Sequence, residues 1–341
     1  MKAMILDDRH KSNWKRYYET GMCKIFIANY ESLKKFFVED IVKSETGKLT
    51  LKNIKFKPEI DLFDCVIIDE LHRCKDGKTQ QAKFVMGLTK GKEYIMGLTG
   101  TPVVNSPKDL ISQLYIINQL TAVAHSYKYF MERYCGGSGK GAFNLKELNY
   151  KLSTTCYYKR EKEDVLKDLP AKMRNIIQCD ITTRNEYNKS MRGEIMVRIG
   201  ILKNISARGK LNEVFEYIDE VVDAGEKVVV FIHQKEIANR ILEKYPKAVS
   251  VRGDDDTESR QKSVDNFQKN PAAQIIVCSI KAAGVGITLT ASSRVAFIEL
   301  PWHPADIEQC EDRCHRIGQK DSVQVTYFLG AETIDEDIYK I

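Results

Sequence analysis

At 341 residues, with 43% hydrophobic and 29% charged side chains, the chain has the composition of a globular protein of about two domains. No apolar run approaches the ~20 residues of a membrane span, and the start MKAMILDDRHK shows no secretory signal. The net charge of +6 is compatible with a polyanionic partner without demanding one. Nine scattered cysteines suit reduced thiols in a cytoplasmic protein.

In chain order, short Val- and Ile-rich runs predict strands at 25–29, 65–69, 94–98, 227–232, 248–251, 274–278, 294–299 and 323–328. They are apolar on both sides and alternate with amphipathic stretches, the pattern of buried parallel strands in an α/β fold. They form two groups around 104–224, a mostly helical region broken at the glycine-rich 135–143. The expected organisation is a partial first parallel-sheet lobe at 1–118, a helical insertion and linker at 119–205, and a second lobe at 206–341.

Three segments carry chemistry. CVIIDELH (65–72) is an apolar strand that delivers Asp69 and Glu70 to its carboxyl end, where open α/β sheets bind ligands. A strand followed by an acidic helix cap is the plainer alternative. In GLTGTPVVNSP (97–107), Thr99 and Thr101 can hydrogen-bond phosphate-linked water or those acids, and Gly100 and Pro102 fix a tight turn. Between 279 and 319, Ser279, Lys281 and the Gly284-x-Gly286 turn let backbone approach phosphate. Arg313 and Arg316 stand three apart, a spacing that shares one face of a helix and suits neutralising a phosphoryl group in transfer. Cys310, Cys314 and His315 lack a second ligand pair at zinc spacing, so they are not read as a metal site.

The run SIKAAGVGITLTASSRVAFIELPWHPADIEQCEDRCHRIGQ resembles motifs V and VI of the Swi/Snf-related ATPases, DNA translocases of helicase superfamily two. The resemblance extends over about 5–340. KSNWKRYYE (11–19) is similar to motif Ia, IFIANYESL (25–33) to Ib, DELH to motif II, GLTGTPVVNSP to motif III and GEKVVVFIHQKEIANRI (225–241) to motif IV. It implies two RecA-like lobes with a helical insertion, the first lobe truncated. It implies ATP and Mg²⁺ as cofactors, with Asp69 holding the metal through water, Glu70 activating the attacking water and His72 coupling the site to neighbouring motifs. Arg313 and Arg316 are the implied arginine fingers, Gln319 supports them, and Thr99, Gly284 and Gly286 face nucleotide. Lys11, Ser12, Asn13, Tyr30, Ser279 and Lys281 are the implied contacts to double-stranded DNA, without sequence preference. NLKELNYKLSTTCYYKREKEDVLKDLPAK (144–172) resembles a family-specific helical segment, with Lys159-Arg160-Glu161 in place of the usual paired arginines. Arg252, Gly253 and Arg260 match a pattern of the HARP-type annealing helicases.

One expected piece is missing. No stretch reads GxxxxGKS/T, the loop whose amides and lysine cradle phosphates. Relative to the family, the chain is expected to be N-terminally incomplete, inactive alone, and paired with an upstream polypeptide that supplies the loop. The alternative is a non-catalytic DNA- or protein-binding remnant. The compact insertions favour a bacterial or phage source, hence a cytoplasmic, nucleoid-associated protein.

Overall fold

The computed structural model describes residues 2–42, 48–139, 141–191, 195–283 and 286–340. The chain forms two compact units, Met1–Lys159 and Arg160–Ile341.

In the first unit, β1 (Ala3–Ile5) pairs in parallel with β2 (Ile25–Ile27), and β3 (Val38–Ile41) pairs antiparallel with β4 (Ile54–Phe56) across a bulge. β5 (Cys65–Ile68) pairs in parallel with β6 (Tyr94–Gly97). The β5–β6 crossover contains the helix Gln80–Thr89, started by Thr79, whose hydroxyl accepts from the Ala82 amide. Val66 and Ile68 point into a core shared with Met4, Leu33, Phe36, Phe37, Phe84 and Trp14. Trp14 stacks on Phe63 with ring centroids 6.1 Å apart and meets Phe26 and Phe37 edge-on, so within motif Ia it is a packing residue. The helices Asp109–Ile116, Leu120–Ala124, Tyr127–Cys135 and Leu145–Thr155 build a smaller core around Phe130 and Tyr134.

The second unit is built on six parallel strands: β7 (Lys172–Cys179), β8 (Val228–Ile232), β9 (Val249–Val251), β10 (Ile275–Ser279), β11 (Arg294–Phe297) and β12 (Val323–Gly330), in the order β7-β12-β11-β8-β10-β9. Alternation along Val-Val-Val-Phe-Ile of β8 sends Val229 and Phe231 to one core and Val228, Val230 and Ile232 to another. Both faces are therefore covered, which is why the strand is apolar throughout. Leu211, Val214, Ile218 and Val221 form the buried stripe of the helix Leu211–Asp223, at the spacing of a helical face. Just before it, fully buried Lys210 donates from Nζ to the Ile298 carbonyl (2.6 Å), the Phe328 carbonyl (2.8 Å) and Asp335 Oδ2 (2.6 Å).

The α/β class and all eight predicted strands are present, with ends shifted by a residue or two. The middle region differs from expectation. The segment 119–205 is not one insertion: its helices up to Thr155 belong to the first unit, while β7 is an edge strand of the second sheet. β7 reads Lys-Met-Arg-Asn-Ile-Ile-Gln-Cys and is mostly exposed, so it lacks the apolar signature of the interior strands. In the first unit the described strands form three separate pairs.

Candidate functional site

In the first unit, one set of candidate residues lies at the carboxyl end of β5 and β6. Asp69 is exposed, and its carboxylate accepts the Glu70 amide at 3.1 Å. Glu70 has φ +51°, a left-handed conformation that costs a non-glycine residue about 1–2 kcal/mol. The turn is held by the Leu71 amide donating to the Leu98 carbonyl (2.9 Å) and by the Tyr30 hydroxyl donating to the Asp69 carbonyl (2.7 Å). Burial raises the Tyr30 phenol well above the usual range, so it stays a donor. Its hydroxyl is thus engaged with the acidic turn, and its ring carries the Arg73 guanidinium 4.9 Å from the centroid.

The constrained turn aims Glu70 at its neighbours. Glu70 Oε2 is a buried atom without a hydrogen bond of good geometry, 3.2 Å from His72 Nδ1. His72 Nδ1 lies 2.9 Å from Thr99 Oγ1, which accepts the Thr101 amide at 3.1 Å. Glu70, His72 and the Thr99–Thr101 turn therefore form one connected polar chain across the two strand ends. Lys11 and Ser12 are exposed on the same unit, and Asn13 is half-buried. A cavity of about 1120 Å³ in the first unit lies elsewhere, lined by residues that include Lys75, Lys78, Asn105, Lys108 and Ser126. Its lining includes neither Asp69 nor Glu70.

A separate set of candidate residues lies in the other unit. The helix Pro304–Glu311 ends before the arginines, so Arg313 and Arg316 do not share a helical face as expected. The chain tightens instead into i→i+3 turns, with the Arg313 amide donating to the Cys310 carbonyl (3.1 Å) and the Cys314 amide to the Glu311 carbonyl (3.0 Å). Buried Cys310, Glu311 and Cys314 hold that course inward, and both arginines stay part-exposed. Burial pushes both thiols up, Cys310 to about 12, so they are inert packing groups. Arg316 donates to the Ile287 carbonyl at 3.4 Å, next to Gly286, whose φ is +56°. Gly284 lies outside the described residues. Gln319 is buried: its amide nitrogen donates to the Ser292 carbonyl (2.8 Å) and its oxygen accepts from the Lys320 amide (2.8 Å). It braces the turn rather than presenting its amide to a ligand.

The sequence did not disclose what holds the arginine segment. Glu311 is fully buried and accepts from Lys172 Nζ (2.7 Å), Arg174 Nη2 (2.7 Å) and Nε (2.9 Å), and the Tyr327 hydroxyl. Burial alone would raise this carboxyl, but the three donors outweigh it and hold it below the usual glutamate range. Lys162 donates to Asp312 Oδ1 at 2.7 Å, and His315 Nε2 lies 2.7 Å from the Pro170 carbonyl. The 162–174 stretch thus clamps 311–315 at three points. At the carboxyl ends of β8 and β11, Glu299 Oε2 accepts the His233 (2.8 Å) and Gln234 (2.9 Å) amides. Ser279 ends the neighbouring β10, paired with Ile232 of β8, and Lys281 is exposed just beyond it. Lys203 donates to the Leu300 carbonyl at 2.7 Å and lies under the half-exposed Trp302 ring, 5.3 Å from its centroid.

The first unit thus carries acids on a strand end coupled through a histidine to a threonine turn, and the second carries braced arginines beside a glycine turn, both on α/β frameworks. Comparison with known proteins makes that specific: the SNF2-related domain model matches residues 1–223 and the helicase conserved C-terminal domain model matches 209–318, so the chain belongs to the SNF2-related family. It is 32% identical over 303 residues to the SWI/SNF-related matrix-associated actin-dependent regulator of chromatin subfamily A-like protein 1 of Xenopus tropicalis, covering 81% of this chain and 32% of that protein. It is 31% identical to the Caenorhabditis elegans homologue of that protein, covering 97% of this chain and 52% of the relative. It is 31% identical to the DNA annealing helicase and endonuclease ZRANB3 of Homo sapiens, covering 80% of this chain and 28% of the relative. The chain therefore spans about a third to a half of these relatives. A solved SWI2/SNF2 ATPase core of Sulfolobus solfataricus in complex with dsDNA aligns with 99% of this chain and 79% of its own, at 23% identity and TM-score 0.41. The curated relatives named are animal proteins and lend the expected bacterial or phage source no support.

Proposed function

We propose that the chain carries the acid and arginine parts of an ATP-dependent motor that moves on duplex DNA without reading its sequence. What supports this most is the continuous Glu70–His72–Thr99 chain, which ties the acidic turn to the following strand end in a member of the SNF2-related family.

In this reading Glu70 orients and activates the attacking water, and His72, 3.2 Å from its Oε2, holds the carboxylate in place. Mg²⁺ fits beside it: the exposed Asp69 carboxylate, with water and phosphate oxygens, offers the oxygen ligands this hard ion takes. Asp69 holds the ion through water; when bound, the ion neutralises phosphate charge. His72 passes the position of Glu70 to the Thr99–Thr101 turn. Arg313 and Arg316 neutralise charge that builds on the transferred phosphoryl group. Lys11, Ser12, Asn13, Ser279 and Lys281 contact DNA phosphates, which position the duplex without specifying sequence. Tyr30 serves the acidic turn first, since its hydroxyl is engaged there.

The phosphate cradle comes from outside these residues, because no GxxxxGKS/T occurs in them. Loss of even one preorganised electrostatic group costs about 10²–10³ in rate, so the 341 residues alone are inactive. The same absence favours one second reading, a non-catalytic remnant that binds DNA or protein and ignores ATP. Duplex binding at two salt concentrations tests the DNA part. The reading expects equal affinity for unrelated sequences and a steep fall with salt. Salt-insensitive or sequence-selective binding would refute it.

A further inference from the structure

The first unit holds a cavity that the motor reading does not use. Its volume is about 1120 Å³, and residues of the helices Gln80–Thr89 and Asp109–Ile116 and of the start of Tyr127–Cys135 line it. That is room enough to enclose a small organic ligand. Lys75, Lys78, Lys83 and Lys108 share its lining, and none of the four has an ion pair among the described residues. Two aspartates also line it, but backbone engages both. Asp76 Oδ1 accepts the Lys78 amide (2.9 Å), and Asp109 Oδ2 accepts the Val104 (3.0 Å) and Asn105 (2.7 Å) amides. Four ammonium groups around one cavity repel one another, and an anion of more than one charge relieves that.

Two further features narrow the anion. Ser112 lines the cavity and is 6% exposed, and its Oγ has no hydrogen-bond partner. Buried hydroxyls are nearly always paired, so this one is a donor lacking its acceptor. Gly77 lies against it: a Cβ there would stand 3.3 Å from Ser112 Oγ and 3.1 Å from Met86 Cε, so a side chain at 77 would close that corner. Tyr115 and Tyr127 also belong to the lining, yet they are 50% and 55% exposed. Exposed rings beside a cationic cluster offer flat apolar area to a planar group.

We propose that this cavity binds a small phosphorylated ligand that carries a planar ring. The lysines hold the phosphate, Ser112 donates to one of its oxygens, and the two tyrosines receive the ring. Phosphate suits the site better than a single carboxylate. It brings close to two negative charges and three acceptor oxygens, and lysine binds it as a point charge. A duplex is the poorer occupant: its backbone is held on a surface, whereas a cavity lined by Met86, Ile111 and Leu120 takes a ligand that enters it. The proposal stands apart from the motor reading, since the lining includes neither Asp69 nor Glu70.

The test uses the full 341-residue chain and flavin mononucleotide, whose fluorescence falls when its ring stacks on tyrosine. Riboflavin serves as the ring alone and pyrophosphate as the phosphate alone. Flavin mononucleotide is expected to bind saturably, pyrophosphate to displace it, and riboflavin to bind at least about tenfold more weakly. Lys78→Glu and Lys108→Glu should each weaken flavin mononucleotide at least about tenfold. Both side chains are exposed, so these variants keep the melting temperature of the wild type. Ser112→Ala should weaken binding about two- to tenfold without lowering the melting temperature, because its hydroxyl has no partner to lose. Tyr127→Ala should weaken flavin mononucleotide and leave pyrophosphate binding, read by calorimetry, unchanged. Lys146→Glu, exposed on the helix Leu145–Thr155 and outside the lining, should bind like the wild type. Absent flavin mononucleotide binding, or equal binding by all variants, would overturn the proposal. So would a parallel loss of duplex-DNA binding in Lys78→Glu and Lys108→Glu, which would assign those lysines to a duplex instead.

Discussion

Glu311→Ala should destabilise the second unit substantially, because the carboxylate is fully buried beneath the arginine segment. Removing one partner of a buried ion pair commonly costs ~3–5 kcal/mol, most of it from the stranded partner. Here the stranded cations recover part of that by hydration, since the Lys172 and Arg174 side chains are 21% and 45% exposed. The Tyr327 hydroxyl, on a residue 2% exposed, recovers little. An orphaned buried hydroxyl costs ~1–3 kcal/mol, and the lost carboxyl leaves a void. Together these give about 3 kcal/mol, or roughly 6–12 °C in melting temperature for a unit of about 150–250 residues. Differential scanning calorimetry of the full chain measures it. The loss should grow at neutral pH and shrink in acid. Because the folded carboxyl lies below its ordinary value, its contribution is complete above about pH 4.3 and disappears as pH falls through the lower folded value. A decrease under about 2 °C at neutral pH would refute the clamp.

Lys210→Met strands Asp335, which keeps only Ser206 Oγ (2.7 Å) and the Gly330 amide (3.0 Å), and should cost ~3–5 kcal/mol in urea unfolding. Lys210→Met with Asp335→Asn should recover much of the loss; simple additivity would contradict the pairing. Burial lowers the pKa of His315, so its neutral form stabilises the fold above about pH 6.5 and that contribution is lost as pH falls through the folded value. Thermal melts between about pH 7.5 and 5 should therefore slope more steeply for the wild type than for His315→Gln, and equal slopes would refute the assignment. Lys281→Ala should weaken duplex binding alike across sequences and reduce the salt slope by about 0.9; an unchanged slope removes Lys281 from the interface.

The acids, the threonine turn and the interior strands were legible because each is a local pattern: an apolar run, then charge or a turn residue. What escaped the sequence is non-local or of edge character. β7 reads as a polar segment because only its last residue is fully buried. The Glu311 network joins positions 137 to 139 residues apart, and no spacing rule links them. The arginine helix was overextended because the tripled spacing of Arg313 and Arg316 fits a helix equally well, while burial of Cys310, Glu311 and Cys314 bends the chain into tighter turns. The engagement of Tyr30 with the acidic turn was not legible because its partner, the Asp69 carbonyl, lies 39 residues away.

Phosphate release from the 341-residue chain, with and without duplex DNA, addresses the central claim directly. The account predicts no turnover above buffer from the 341 residues, with or without duplex DNA. DNA-stimulated release by the chain alone, abolished by Glu70→Gln, would contradict it.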